Sequence, residues 1–201
     1  MPNWCENNLS VIGKTEDMIP FLKVITQKVH EDNRVLETDQ SDWDITKFED
    51  SDFHLLHTLY PTPEDLLIGD ASFGKNTPQQ IANKEKHGYA DWYDWRINHW
   101  GCKWGESSLS IGQEFTVHSD GLSVIAFNFE TPWGPPIEAF NKISADYPNL
   151  LFCLYYEEPG MGFCGNNIWG NGEMQESNEA EMVSRWFDED YLYETYISNN
   201  K

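Results

Sequence analysis

The chain begins with a short alternation of polar and apolar positions, Asn8-Leu-Ser-Val-Ile-Gly13, which predicts a strand closed by a glycine turn. Thr15, Glu16 and Asp17 then offer a cap and acids suited to a helix N-terminus. Met18, Phe21, Leu22, Ile25 and Val29 follow at helical spacing, with Pro20 tolerated in the first turn. Residues 31–52 lose periodicity apart from Trp43, Ile45 and Phe48, and predict an irregular acidic insertion. Residues 53–60 read as a second strand, ended by Pro61 and Pro63. Thr62-Pro-Glu-Asp65 is a helix start, and Thr77-Pro-Gln-Gln80 a better one, since Gln80 can complete a capping box with Thr77. That helix should stop at Gly88, and another should run from Asp91 to Trp100 with Tyr93, Ile97 and Trp100 on one face, continuing back to Tyr89.

Residues 114–118 and 122–130 predict a hairpin around Ser119-Asp-Gly121, with Ser123, Ile125, Phe127 and Phe129 on one side of the second arm. Pro135-Pro136 open a helix whose stripe is Ile137, Phe140, Ile143 and Tyr147, and Pro148 ends it. Residues 150–156 form a nearly continuous apolar run, expected to be a central strand. A glycine-rich stretch, 160–172, predicts another hairpin, and Asn178-x-x-Glu181 the cap of a last amphipathic helix over 178–197 carrying Met182, Val183, Trp186 and Phe187. Strand–helix–strand given twice implies one α+β domain of the ferredoxin-like kind, an antiparallel sheet with helices on one face. The acidic segment 31–52, an aromatic-rich helical segment 61–104 and the C-terminal helix would be additions to it.

Charge narrows the function. Thirty-four Asp and Glu against 13 Lys and Arg leave a formal charge of −21 over 201 residues, which speaks against sequence-independent binding of nucleic acid. Residues 31–70 carry a net −10 and 157–201 a net −8, whereas 75–103 carry a net +2. An acidic run is ordinarily a solvated face that keeps a protein soluble; the sharper reading is a surface that occupies a basic groove on another protein. No apolar run reaches the roughly 20 residues of a membrane span. With no basic and apolar leader at the N-terminus and no CxxC among four cysteines, a reducing cytoplasm with free thiols is expected.

Several motifs fail on inspection. Gly160-Met-Gly-Phe-Cys-Gly165 matches GxGxxG, but the residues after it cannot sustain the helix that a dinucleotide site needs. His54 and His57 would face opposite sides of the expected strand, and His99-x-x-Cys102 crosses a helix end, so no metal ligand set is assigned. Glu157 and Glu158 are neighbours that a strand points apart, and no nucleophile elbow, P-loop or HExxH occurs. No catalytic residue and no cofactor is therefore assigned. The densest chemistry lies in residues 89–104, with six aromatics in sixteen residues. Either they form a packed aromatic core with Arg96 paired to an acid, or some of the rings line a groove with Arg96 and Lys103 as anion holders. Candidate ligand- or partner-binding residues are Trp92, Trp95, Arg96, Asn98, Lys103 and Trp104, with Tyr156 and Glu157 from the sheet.

Four ordered motifs carry a resemblance: Met1-Pro-Asn-Trp-Cys-x-Asn-x-Leu-x-Val-x-Gly13, Tyr93-Asp-Trp-Arg-x-x-x-Trp-Gly-x-Lys-Trp104, Phe129-x-Thr-Pro-Trp-x-Pro-Pro136 and Tyr156-x-Glu-Pro-Gly160. With these the chain resembles the YubB ferredoxin-like family, encoded on phages, prophages and plasmids. The family pattern has Asn at the place of His99 and Thr at that of Cys102, which weakens a metal role for this pair. The resemblance implies a ferredoxin-like fold without an iron–sulfur cluster and a mobile-element accessory protein, and supplies no reaction.

The leading expectation is a non-enzymatic interaction protein of a phage or plasmid in the host cytoplasm, engaging a host protein with a basic surface, such as a defence or nucleic-acid-handling protein. The alternative is a small-molecule or nucleotide-binding protein, or an enzyme, using the 89–104 segment. A virion or assembly component is a third possibility, which the lack of repeats does not encourage.

Overall fold

A computed structural model describes residues 2–36, 40–68, 77–119 and 121–182. The first strand is longer than its pattern predicts: β1, Trp4–Lys14, alternates buried and open positions throughout. It leads directly into α1, Thr15–Ile25, which buries Met18, Phe21, Leu22 and Ile25. Thr15 is the first residue of the helix and not its cap; Lys14 stands at the cap with no side-chain bond. Val29 lies beyond the helix and pairs in an isolated bridge with Val35.

The acidic segment that follows is anchored by aromatic rings. Trp43 packs on Phe48, Phe48 on Phe53, and Phe53 on Phe127 in the sheet, while the Trp43 indole N–H donates to Thr26 Oγ1 at 2.9 Å. Two single 3-10 turns, Ile45–Lys47 and Asp50–Asp52, carry the chain over the sheet edge.

Residues 53–60 do not form the expected strand. They contain α2, Leu56–Leu59, and its Leu55, Leu56 and Leu59 side chains enter the core. The Glu106 carboxylate accepts the Leu55 and Leu56 N–H groups at 2.6 and 3.0 Å and so caps this helix from a distant part of the chain. Then come α3 (Glu64–Leu67), α4 (Pro78–His87) and α5 (Trp92–Trp100). The Thr77–Gln80 capping box forms in both directions, and Gly88 closes α4 at φ +80° as read from the sequence. Asp65 receives Lys86 and His87, and the buried Asn83 amide donates to the Asp65 and Ala90 carbonyls, joining the three helices.

The remaining chain supplies β2 (Ser107–Val117), β3 (Leu122–Pro132), α6 (Ile137–Asp146), β4 (Leu151–Glu158), β5 (Phe163–Gly170) and β6 (Glu173–Glu181). The sheet order is β2-β3-β1-β4-β5-β6, with every neighbouring pair antiparallel. Its first four strands with α1 and α6 give the ferredoxin-like arrangement, in which each helix connection passes over an intervening strand. Both helices pack on one face: Phe21 and Phe140 lie 5.8 and 6.0 Å from Phe152 between ring centroids, and Phe140 lies 5.7 Å from Trp169. Among the described residues no helix is long and apolar enough to cross a membrane.

The helix expected to begin at Asn178 is absent up to the last described residue. Asn171 and Gly172, at φ +55° and +79°, make a two-residue hairpin turn, and the chain from Glu173 to Glu181 pairs with β5. The rest of that expected helix lies outside the described residues. Every position of β6 is exposed, and four of its nine residues are glutamates.

The GxGxxG match has a packing explanation. Gly165 sits between Tyr156 on β4 and Asn178 on β6, and a Cβ there would stand 2.4 Å from the Tyr156 Oη and from the Asn178 carbonyl oxygen. A Gly165→Ala substitution is expected to destabilise the fold by about 1–3 kcal/mol through overpacking, read by urea denaturation. An unchanged midpoint would contradict this close approach.

Candidate binding surface

The aromatic segment forms a packed interior. Helix α5 starts at Asp91, whose carboxylate accepts the Tyr93 N–H at 3.0 Å, and ends at Gly101 with φ +82°. Its buried side is Trp95, Arg96 and Trp100, flanked by Trp92 and His99. The expected face through Tyr93 and Ile97 is wrong, since Ile97 is exposed. Residues of α2 and the loop after it complete the packing. Tyr60 packs on Trp95, its hydroxyl is hydrogen-bonded to His99 Nδ1 at 2.7 Å, and its carbonyl accepts the Trp100 indole N–H at 2.8 Å.

Arg96 lies inside this packing at 4% exposure. Its guanidinium carbon is 5.0 Å from the Trp92 ring centroid and 4.6 Å from that of Trp100, and Nε donates to Thr62 Oγ1 at 2.9 Å. Burial pulls its pKa down to about 10, with Cys102 and Glu106 acting in the opposite sense, so it stays charged at neutral pH. It pairs with no described carboxylate; indole faces stabilise the cation instead. Nη2 is left without a partner.

His57 sits beside this cation, edge-on to Trp100 at 5.1 Å between centroids. Burial lowers its pKa, Glu106 opposes the shift, and Arg96 and His54 add to it. Unfolded, His57 takes up a proton as the pH falls through about 6.5, and the folded residue resists doing so. Its contribution to stability is therefore complete above that pH and declines as the pH falls below it. His99, lowered by burial, acts in the same direction. A His57→Phe protein is expected to show a flatter melting temperature between about pH 7 and pH 5. A slope equal to the wild type would remove His57 as its source.

The other candidate residues separate. Asn98 points away from the packing and donates to the Asp94 carbonyl at 2.7 Å. The Lys103 ammonium lies over the Tyr93 and Trp104 rings at 5.1 and 4.6 Å, and Trp104 packs on Trp4 at 6.4 Å. Tyr156 faces the helix side of β4, its hydroxyl bonded to Glu179 at 3.3 Å, and burial is the first cause that pushes its pKa up to about 12. Glu157, one residue on, faces the opposite side. The eight residues thus do not converge on one groove. The four cysteines are free thiols; burial drives Cys102 upward and pushes Cys5 up to about 12, far from reactive thiolates.

Strand register builds a different surface, which sequence reasoning missed. On the sheet face opposite α1 and α6, Glu6 is paired with Glu130 on one side and Glu157 on the other. Three carboxylates therefore stand in one straight row across β3, β1 and β4, with adjacent Cβ atoms about 5 Å apart. The next row is Asn128, Asn8 and Tyr155, with Asn8 donating to Asn128 at 2.8 Å. Beyond it comes the row Ala126, Ser10, Cys153 and Ile168, and then the apolar row Val124, Ile12 and Leu151. A cavity of about 340 Å³ opens over the carboxylate end, lined also by Ser108, whose hydroxyl donates to Glu130 at 2.8 Å. Neither Glu6 nor Glu130 forms an ion pair with a described Lys, Arg or His. Among the described residues no three His, Cys, Asp or Glu side chains are grouped as a metal ion requires.

Residues 103–196 match the family model described as a ferredoxin-like domain in Api92-like protein. The crystal structure of the protein Api92 from Yersinia pseudotuberculosis superposes with a TM-score of 0.50 at 12% sequence identity, covering 90% of this chain and 98% of that one. At that identity the likeness is one of fold. No curated protein matches the chain.

Proposed function

We propose that this protein works by contact, binding a basic surface of another protein through its acidic exterior, and that it is an accessory protein of a phage or plasmid acting in the host cytoplasm. The observation that carries the contact reading is the row of Glu130, Glu6 and Glu157 on the sheet face opposite α1 and α6, in which Glu6 is exposed, Glu130 half-buried and Glu157 buried. Like charges directly opposite each other in a sheet cost stability, a cost that a basic partner would relieve. The formal charge of −21 adds long-range steering of a basic partner, which makes association fast and salt-sensitive. The mobile-element origin rests on the resemblance to the YubB family, and a defence or nucleic-acid-handling protein of the host is the partner class that fits it.

A nucleotide or small-molecule site in the 89–104 segment is the less favoured reading. Arg96 is enclosed between indoles, and Lys103 is occupied with Tyr93 and Trp104.

Affinity capture from host lysate tests the proposal at about 0.1 M and about 1 M salt, where the screening length falls from roughly 10 to 3 Å. A partner retained at the lower salt and released at the higher is expected. Capture of nothing at low salt overturns the reading.

A further inference from the structure

We infer that residues 183–201 of this chain return over the end of the sheet from which they leave, and cover the exposed ring of Trp133 together with Trp104 and Met161. The contact is intramolecular and stands apart from the binding of a basic partner.

The turn after β3 is built to hold Trp133 outward. Trp133 has φ +72°, in the left-handed region that a bulky side chain rarely enters. Buried polar groups impose this. The Asn7 amide donates to Thr131 Oγ1 at 2.8 Å, the Thr131 hydroxyl donates to the Gly134 carbonyl at 2.8 Å, and the Trp133 N–H donates to the Asn3 carbonyl at 2.9 Å. Asn7 and Thr131 are both buried, so the turn is anchored in the core. Yet the indole so placed is 55% exposed, and backbone strain of this kind persists where something is gained from it. Trp104, packed on Trp4, is exposed at the same end. So is Met161, in the loop whose Gly160 lies against the Asn3 side chain.

The chain leaves the described fold at this place. Glu181 pairs with Phe163, Phe163 with Glu158, and the Met182 N–H donates to the Gly162 carbonyl at 2.6 Å. Register thus sets Met182 in the row that holds Trp4 and Pro132, four strand spacings or about 19 Å from Pro132. Residues 183–201 reach farther than that, about 28 Å even at the rise of a helix. Eight of these 19 residues are apolar or aromatic, Trp186 and Phe187 among them, a share like the 39% of the whole chain. Their four acids meet a counter-charge in Lys103, which lies over the Tyr93 and Trp104 rings and forms no ion pair with a described carboxylate. A second copy of the chain is disfavoured as the cover, because it sets −21 against −21.

Trypsin acting on the full chain reads the contact at Arg185, the single Lys or Arg between Met182 and the last residue. Trp133→Gly removes the ring and suits the left-handed backbone, so the fold itself is spared. Cleavage after Arg185, followed by fragment mass, is expected to be at least about tenfold faster in this variant than in the wild type. Cleavage after Lys142, inside α6, should change by less than about twofold. Val117→Ser, an exposed site at the far end of the sheet, should alter neither rate. In a Trp186→Ser/Phe187→Ser background, Trp133→Gly should add less than about twofold. Equal rates at Arg185 with and without the Trp133 ring overturn the contact: fast in both, the segment covers nothing; slow in both, it is held elsewhere. Equal acceleration at Lys142, or acceleration by Val117→Ser, makes the effect a general loosening and overturns it as well. Each of these results leaves salt-dependent capture of a partner intact.

Discussion

Arg96→Ala is expected to cost about 3 kcal/mol of folding stability, a fall of roughly 6–12 °C in Tm for a chain of this size. The guanidinium fills the space between Trp92 and Trp100, and its removal leaves a cavity lined by two indoles and a Thr62 hydroxyl that loses its donor. A buried cation–π contact is worth about 2 kcal/mol, and part of that is returned because the charge is no longer desolvated. Arg96→Met separates volume from charge: it refills most of the space, and the loss should shrink to about 1 kcal/mol. Urea denaturation of the three proteins measures the difference. Wild-type stability in Arg96→Ala would mean that the guanidinium holds nothing, and would reopen the segment as a ligand site.

Trp100→Ala should be the most damaging single change, at about 3–5 kcal/mol. Its side chain is fully buried, its indole N–H bonds the Tyr60 carbonyl, and its ring meets His57, Trp95 and Arg96. It thereby links α2 and α5. Trp100→Phe keeps an aromatic ring and drops the bond to Tyr60, and should cost about half as much. Because Arg96 and Trp100 share a contact, the double alanine protein is expected to lose less than the two single losses combined, by about 1–3 kcal/mol. Additive losses would deny the contact.

The parts of the fold that follow local rules could be read from the sequence. Thr77 and Gln80 satisfy each other within one turn, Ile137, Phe140 and Ile143 need only a helical period, and the apolar run after Pro148 is the central strand its composition demands. The misreadings arise where distant groups decide. Leu55 and Leu56 enter a helix because Glu106 takes their N–H groups, and nothing near residue 55 announces it. Arg96 belongs to the buried side of α5, and apolar spacing alone points to Tyr93 and Ile97 instead. At the end of the described chain, Asn178 and Glu181 imitate a helix cap, yet the Asn171-Gly172 hairpin turn carries the chain on as a strand. The carboxylate row was the least legible feature. Glu6, Glu130 and Glu157 lie far apart in the chain, and only the pairing of β1 with both neighbours brings them side by side.

The two borders of the sheet bear on how the molecule behaves in a crowded cell. On β2 the register slips three times, and the Asp50 carboxylate occupies the Ile111 N–H. On β6 glutamates recur along a wholly exposed strand. Neither border offers the flat, neutral template on which identical chains stack into fibrils, so edge-to-edge growth of this sheet is disfavoured.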